Sequence, residues 1–213
     1  MSRRGLTLLE LLVALSVLAL AAVVAGGGLA VLGRGLERER REAAAASALA
    51  TAHELVRREL GRALPLDWGP PRRPLVAFVG SAERVRFVTA PPAWRAGSGL
   101  QLWELALEDA GPARVLRVRH AALVRDGSGF DRLAEAEAVT LASVAPSRAF
   151  AFFGPDEDGR GGRWWEGWNG RPVLPAAVRL GDPEGGDGLV VRLLVDTPLA
   201  CLGVRGSGGA ACG

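Results

Sequence analysis

The sequence contains no lysine and no tyrosine, and its 213 residues include only two histidines and two cysteines. The absence of lysine excludes a Schiff-base enzyme, a pyridoxal anchor and a phosphate-loop lysine. The histidines and cysteines are too widely spaced for a zinc finger; they are His53, His120, Cys201 and Cys212. With no serine in a nucleophile-elbow motif and no recognisable carboxylate cluster, the sequence predicts no enzyme, no metal site and no cofactor.

Net positive charge is also scarce. Arginine supplies all 26 basic residues, against 23 acidic residues, for a net charge of +3. Arg3 and Arg4 fall in a segment that we expect to be removed, so the remaining chain would carry 3 minus 2, or +1. A charge this small does not favour steering toward phosphate, and no nucleic-acid partner is expected.

The most distinctive feature is an apolar segment near the amino terminus. From Leu6 to Gly33 the only ionisable side chain is that of Glu10. The uncharged part, residues 11–33, is 23 residues long, and as a helix it would reach about 35 Å, enough to cross a bilayer core. A carboxylate in a membrane span costs roughly 2.5 to 3.5 kcal/mol near the centre and less toward the end, so Glu10 requires a partner.

A short basic leader precedes this segment. Residues 1–5 read MSRRG, and residues 6–10 read LTLLE. A basic leader, a glycine, an apolar residue, a threonine, two apolar residues and a glutamate ahead of a hydrophobic helix resemble the signature of the type IV pilin and pseudopilin superfamily. Leu6 stands where that family usually has phenylalanine.

This resemblance implies a processing site and a role for Glu10. In the family, a membrane aspartic peptidase cuts after the glycine and methylates the new amino terminus. Cleavage here would therefore fall between Gly5 and Leu6, with methylation on Leu6. The resemblance also implies that Glu10 forms an assembly salt bridge, in the membrane or filament core, with the terminal amine of a neighbouring subunit. Such a pair would neutralise an otherwise costly buried charge.

A secretory signal peptide or signal anchor is the alternative interpretation, because it too combines a basic start with an apolar run. It explains neither the glycine at position 5 nor the glutamate at position 10. The two interpretations differ in the mass of the mature chain. Processing of the pilin type removes five residues, whereas signal peptidase removes about twenty or more.

Beyond Arg34 the pattern predicts a continuing amphipathic helix that ends before Pro65. Its apolar positions repeat at helical spacing; they are Leu49, Val56, Leu60 and Leu64. Two i,i+4 ion pairs are expected on its exposed faces, Glu37/Arg41 and Glu54/Arg58. His53 lies near the apolar stripe with no second ligand close in sequence, so we interpret it as a packing or surface histidine.

After residue 73 the apolar period shifts toward two, which predicts strands separated by glycine, proline and aspartate turns. The predicted strands are residues 75–79, 83–89, 100–107, 114–120, 138–144, 148–153, 176–180 and 189–196. A helix followed by a run of strands predicts the α+β class. We expect a long amino-terminal helix, first hydrophobic and then amphipathic, packed on a largely antiparallel sheet.

Several later stretches resemble the J family of type II secretion minor pseudopilins. They are residues 150–154 (FAFFG), 163–169 (RWWEGWN) and 174–180 (LPAAVRL), together with 57–60 (RREL) and 85–92 (VRFVTAPP). The family usually has tyrosine at some of these aromatic positions, and this chain has none. The pilin-like fold that the resemblance implies agrees with the α+β prediction.

By this resemblance the chain is expected to be a structural component of the pseudopilus tip that helps to initiate assembly for protein export. Residues 1–5 would be the leader, 6–33 the single transmembrane and filament-core helix in the inner membrane, and 34–213 a periplasmic globular domain. Expected partners are the prepilin peptidase, inner-membrane lipid before assembly, the I-type and K-type minor pseudopilins, the H type as a further candidate, and the major pseudopilin. The alternative is a minor pilin of a type IV pilus for adhesion, motility or DNA uptake.

Two features of the carboxyl-terminal half each allow two interpretations. Three tryptophans could pack against the sheet as core residues or form a binding platform. They are Trp164, Trp165 and Trp168. Cys201 and Cys212 enclose ten residues, and in a periplasmic domain a disulfide between them would contribute roughly 2 to 3 kcal/mol. A metal or redox pair is the other interpretation, although C-x-x-C spacing is absent.

Overall fold

A computed structural model describes residues 8–70, 74–91, 99–111, 113–124, 127–156, 161–185 and 188–194, without the side chains of residues 24–34. The chain divides into two units, Met1–Ser47 and Ala48–Gly213. A helix followed by antiparallel strands confirms the α+β prediction.

The helix α1 spans Leu8–Gly61, so it ends three residues before the position predicted from Pro65. The expected ion pair between Glu37 and Arg41 is present at 3.4 Å. The prediction of an ion pair between Glu54 and Arg58 is wrong. Arg58 instead binds the neighbouring carboxylate of Glu59 at 2.8 Å, because Glu59 is buried and its charge requires a close partner.

Five strands form the first sheet. They are β1 (Phe78–Gly80), β2 (Arg84–Thr89), β3 (Gln101–Ala110), β4 (Ala113–Ala122) and β5 (Val139–Val144). The strands lie in sequence order, and each pair is antiparallel. A 3-10 helix, Gly129–Ala134, lies between β4 and β5 in the chain. The sheet is therefore a meander in which each strand pairs with the next.

Four further strands form a second sheet, in the order β7-β6-β8-β9. They are β6 (Ala149–Pro155), β7 (Gly162–Trp165), β8 (Ala177–Gly181) and β9 (Gly188–Arg192). All pairings are antiparallel. The strand β7 is a correction, because none of the predicted strands includes residues 162–165. The other strands overlap predicted ones, but β1 begins at Phe78 and not at residue 75, and β9 ends at Arg192 although the prediction ran to residue 196. Residues 195–196 lie outside the described residues.

The core of the second unit combines the end of α1 with the inner faces of both sheets. Val56 and Leu60 of α1 are fully buried in one cluster with residues of β2, β6 and β8. Leu49 is partly buried and packs against this cluster. Leu49, Val56 and Leu60 are positions that the helical spacing predicted, whereas the fourth, Leu64, lies beyond the end of α1. The amphipathic end of α1 is thus a core element of this unit.

Two glycines make room for aromatic rings in this core. A Cβ atom at Gly154 would overlap the ring of Trp168, and one at Gly80 would overlap the ring of Phe152. Both rings are fully buried. Glycine is therefore required here by close approach and not by backbone conformation.

Gly154→Ala is expected to lower the free energy of unfolding by about 1 to 3 kcal/mol, because a methyl group would enter a filled site. Urea unfolding of the full chain in nonionic detergent, followed by tryptophan fluorescence, measures the change. Gly61→Ala is the matched control, since a Cβ there meets only Arg192 O at 3.6 Å and Val191 at 3.8 Å. Equal stabilities of the two variants would contradict the packing argument.

Candidate functional site

The first described turn of α1 contains Glu10. Its side chain is exposed, and a carboxylate in this position is favoured by the positive end of the helix dipole. The predicted processing residues Gly5 and Leu6 lie outside the described residues. The structure therefore describes the carboxylate of the motif and the helix that follows it.

Around and after Glu10, up to residue 23, the exposed surface of α1 is apolar on all sides. Ten large apolar side chains between residues 8 and 23 are exposed; they are Leu8, Leu9, Leu11, Leu12, Val13, Leu15, Val17, Leu18, Leu20 and Val23. Successive helical residues are rotated by about 100°, so these positions surround the helix. A helix that is apolar all round requires an apolar environment, either lipid or other helices.

The hydroxyl group in this segment is satisfied by the helix itself. Ser16 Oγ donates a hydrogen bond to the Leu12 carbonyl oxygen at 2.8 Å. This i−4 bond lets a serine enter an apolar environment without an external partner. Among the described residues, no helical stretch is both long and apolar enough to qualify as a membrane span. The predicted segment 6–33 extends beyond the described side chains.

The three tryptophans have different environments. Trp168 is fully buried, and its Nε1 donates to the Val173 carbonyl oxygen at 3.0 Å. Trp165 is half-buried, with the guanidinium carbons of Arg163 and Arg171 at 3.6 and 4.1 Å from its ring centroid. The core interpretation is confirmed for Trp168. Trp164 differs, because it is exposed on the outer side of the second sheet.

A charge network that the sequence did not predict crosses the outer face of the first sheet. Glu104 of β3 is only 2% exposed. Its carboxylate accepts hydrogen bonds from Arg86 Nε and from an Arg119 terminal nitrogen, each at 2.7 Å. These residues are direct neighbours on β2, β3 and β4. Burial raises the pKa of Glu104, but the two guanidinium groups more than offset this and hold it below its ordinary value.

The two histidines are not brought together. His53 lines a cavity of about 210 Å³ with Leu49, Ser143 and Arg148, whereas His120 is exposed on β4 beside Trp103, with ring centroids 5.3 Å apart. Burial lowers the pKa of His53, and the nearby charges of Arg148 and Arg57 lower it further. This environment fits the interpretation of His53 as a packing residue.

The remaining sequence-predicted site lies beyond the described chain. Cys201 and Cys212 are both in the segment after residue 194, so the disulfide remains a prediction. Within the described residues, no group of three or more histidine, cysteine or acidic side chains has the proximity needed to hold a metal ion.

Comparison with known proteins identifies two similarities. Residues 1–26 match the family described as the prokaryotic N-terminal methylation motif. The chain is also 28% identical over 193 residues to the type II secretion system protein J of Xanthomonas campestris pv. campestris, an alignment that covers 85% of this chain and 87% of that protein. No solved structure matches. Both similarities confirm the resemblances drawn from the leader motif and from the later stretches.

Proposed function

We propose that this chain is a minor pseudopilin of a type II secretion system, a structural component of the pseudopilus tip that helps to initiate its assembly. The observation that carries the proposal is α1, whose first turn holds a carboxylate and whose following turns are apolar on every side. The match to the N-terminal methylation motif over residues 1–26 and the similarity to protein J support it.

The proposal assigns a task to each part of the chain. Residues 1–5 are a leader that the prepilin peptidase removes, leaving Leu6 as the methylated amino terminus. Residues 6–33 anchor the protein in the inner membrane and later lie in the filament core. Residues 34–213 form the periplasmic domain, in which a disulfide joins Cys201 and Cys212. None of these tasks requires a catalytic group in this chain, which acts by binding other subunits.

Partners follow from the chemistry of the helix. Its apolar surface can be covered by lipid before assembly and by the corresponding helices of other pseudopilins afterwards. We propose the I-type and K-type minor pseudopilins as direct neighbours, with the H type and the major pseudopilin as further partners. The Glu10 carboxylate would then face the amine of an adjacent subunit.

Isolation of the full chain from membranes of its own organism tests the proposal. An affinity tag at the carboxyl terminus, mild detergent and mass spectrometry would identify the subunits that accompany it. We expect the secretion pseudopilins of the I and K types in stoichiometric amounts. Recovery of type IV pilus subunits instead would show that the chain is a minor pilin of that machine.

The intact mass of the same preparation tests processing. We expect a chain that lacks residues 1–5 and carries one additional methyl group, because the peptidase would cut after Gly5. A mature chain that begins near residue 25 would contradict the pseudopilin proposal and support a signal peptide.

Alkylation of the protein before and after denaturation, without reductant, should leave both cysteines unmodified.

A further inference from the structure

The second sheet has an outer face that combines aromatic, aliphatic and arginine side chains. Strand register defines it in two rows. Trp164, Phe153, Ala177 and Arg192 are successive cross-strand neighbours in one row. In the other row Ala151, Arg179 and Val190 are neighbours. We call these seven residues the outer face of the second sheet.

This face is largely apolar, and its most accessible apolar residues lie on the edge strands β7 and β9. Trp164 is 39% exposed and Val190 is 49% exposed, and Phe153 and Ala151 are half-buried. Alanine at two of the seven positions, Ala151 and Ala177, keeps side chains short there, so a second protein surface can approach closely. Tryptophan and arginine are the residue types most enriched among the energetic hot spots of protein interfaces.

The arginines of this face are not neutralised within the described chain. Neither Arg179 nor Arg192 forms an ion pair with a described carboxylate. The guanidinium carbon of Arg179 lies 4.9 Å from the ring centroid of Trp164, which holds the cation beside the aromatic centre. The face therefore presents positive charge at an apolar surface, and its complement is apolar with carboxylates.

The outer face of the first sheet shows the opposite arrangement. There Glu104 binds Arg86 and Arg119 at 2.7 Å and Arg84 at 3.5 Å. Glu108 binds Arg117 at 3.0 Å. Positive charge on that sheet is thus largely satisfied by its own strands. Among the residues that the structure describes, the arginines of the second sheet's outer face therefore lack the carboxylate partners that those of the first sheet have.

We propose that the outer face of the second sheet is an interface that packs against an apolar, carboxylate-bearing face of a neighbouring pseudopilin in the same assembly. This inference rests on the proposed function. A neighbouring subunit fits better than an exported protein, because stable subunit interfaces have more apolar centres than transient ones and are enriched in aromatic residues and arginine. An exported protein as the occupant is an outcome that the test separates.

Photo-crosslinking in cells of the source organism tests this contact in the full chain. A photoreactive amino acid replaces Val190, and the same residue replaces Val139 of β5 as a matched control. The two valines lie on edge strands of different sheets and are 49% and 51% exposed. We expect position 190, and not position 139, to crosslink to a pseudopilin at a peptide that contains aspartate or glutamate.

A third position separates failure of this inference from failure of the proposed function. Leu18 of α1 is exposed and should crosslink to pseudopilins whenever the chain joins their assembly. Crosslinks from position 18 without crosslinks from position 190 would overturn the interface alone. Absence of pseudopilin crosslinks at both positions would overturn the proposed function. Crosslinks from position 190 to an exported protein would overturn the choice of occupant.

Charge variants at position 190 test the carboxylate-bearing character of the partner. Val190→Glu is expected to reduce co-isolation of the neighbour by at least about tenfold, which corresponds to roughly 1.4 kcal/mol. Val190→Arg introduces a side chain of at least equal bulk and should retain more of the partner than Val190→Glu. Equal losses in both variants would overturn the charge complementarity. Unfolding midpoints and the Val139→Glu variant show whether a loss arises from misfolding.

Discussion

Replacing Glu104 with alanine is expected to lower the free energy of unfolding by about 2 to 4 kcal/mol. The carboxylate is only 2% exposed, and its removal leaves the Arg86 side chain without its 2.7 Å partner. Arg119 would keep one contact, to Glu108 at 3.1 Å. The expected loss is below that of a fully buried pair because both arginines retain some contact with solvent.

The matched control for this effect is Glu108→Ala. Glu108 binds two arginines of the same sheet, at 3.0 and 3.1 Å, but it is more accessible than Glu104. An accessible ion pair contributes about 0 to 1 kcal/mol. Urea unfolding of the full chain in nonionic detergent, read through tryptophan fluorescence, compares the two variants. Equal losses would show that burial of Glu104 does not determine its contribution.

The dependence on pH separates the charge of Glu104 from its volume. In the folded chain the pKa of Glu104 is held below its ordinary value of 4.5, so the ionised network stabilises the fold above that pH. The contribution decreases as the pH falls below 4.5 and through the folded pKa. The stability difference between wild type and Glu104→Gln should therefore be constant from pH 7 to 5 and shrink in more acidic buffer. A difference that persists unchanged in acid would contradict the linkage.

Sequence periodicity predicts the positions of helices and strands well where neighbouring residues along the chain determine them. Pro65 restricts how far α1 can extend, and the helix ends at Gly61. Alternating strands such as β2 and β6 lie where period-two patterns place them. The strand β7 was missed because its four residues, GRWW, show no alternation. Pairing with β6 makes this segment a strand, and that contact is not visible in a local pattern.

Charged side chains were the least predictable part of the candidate sites. Glu104 is one of several charges on its strands, and nothing in its local sequence distinguishes it from an exposed residue. Its burial depends on the register that aligns Arg86, Glu104 and Arg119 across three strands. The same limitation explains the incorrect pair of Glu54 with Arg58, since the burial of Glu59 depends on tertiary packing. In contrast, Glu10 is recognisable because an apolar sequence surrounds it.

Glu10→Val is expected to remove most of the chain from assembled pseudopili while leaving the fold of the second unit unchanged. In the proposed assembly, this carboxylate neutralises the terminal amine of an adjacent subunit in an apolar environment. Loss of the carboxylate would leave that amine unpaired, at a cost of at most roughly 2.5 to 3.5 kcal/mol, the value for a charge at the centre of an apolar layer. At 1.4 kcal/mol per factor of ten, this sets the upper limit of the decrease in incorporation at about sixtyfold to three-hundredfold.

Ser16→Ala is the matched control for Glu10→Val, because it also changes a polar residue in the exposed apolar part of α1. The Ser16 hydroxyl already bonds to the Leu12 carbonyl oxygen at 2.8 Å, so its loss removes no contact with another subunit. Quantitative immunoblotting of sheared pseudopili and of the membrane fraction would measure incorporation. Processing is read from the mass of the membrane-bound chain, which should lack residues 1–5 in both variants. Normal incorporation of Glu10→Val would contradict the salt bridge, whereas equal loss in both variants would show that α1 tolerates no polar-to-apolar change.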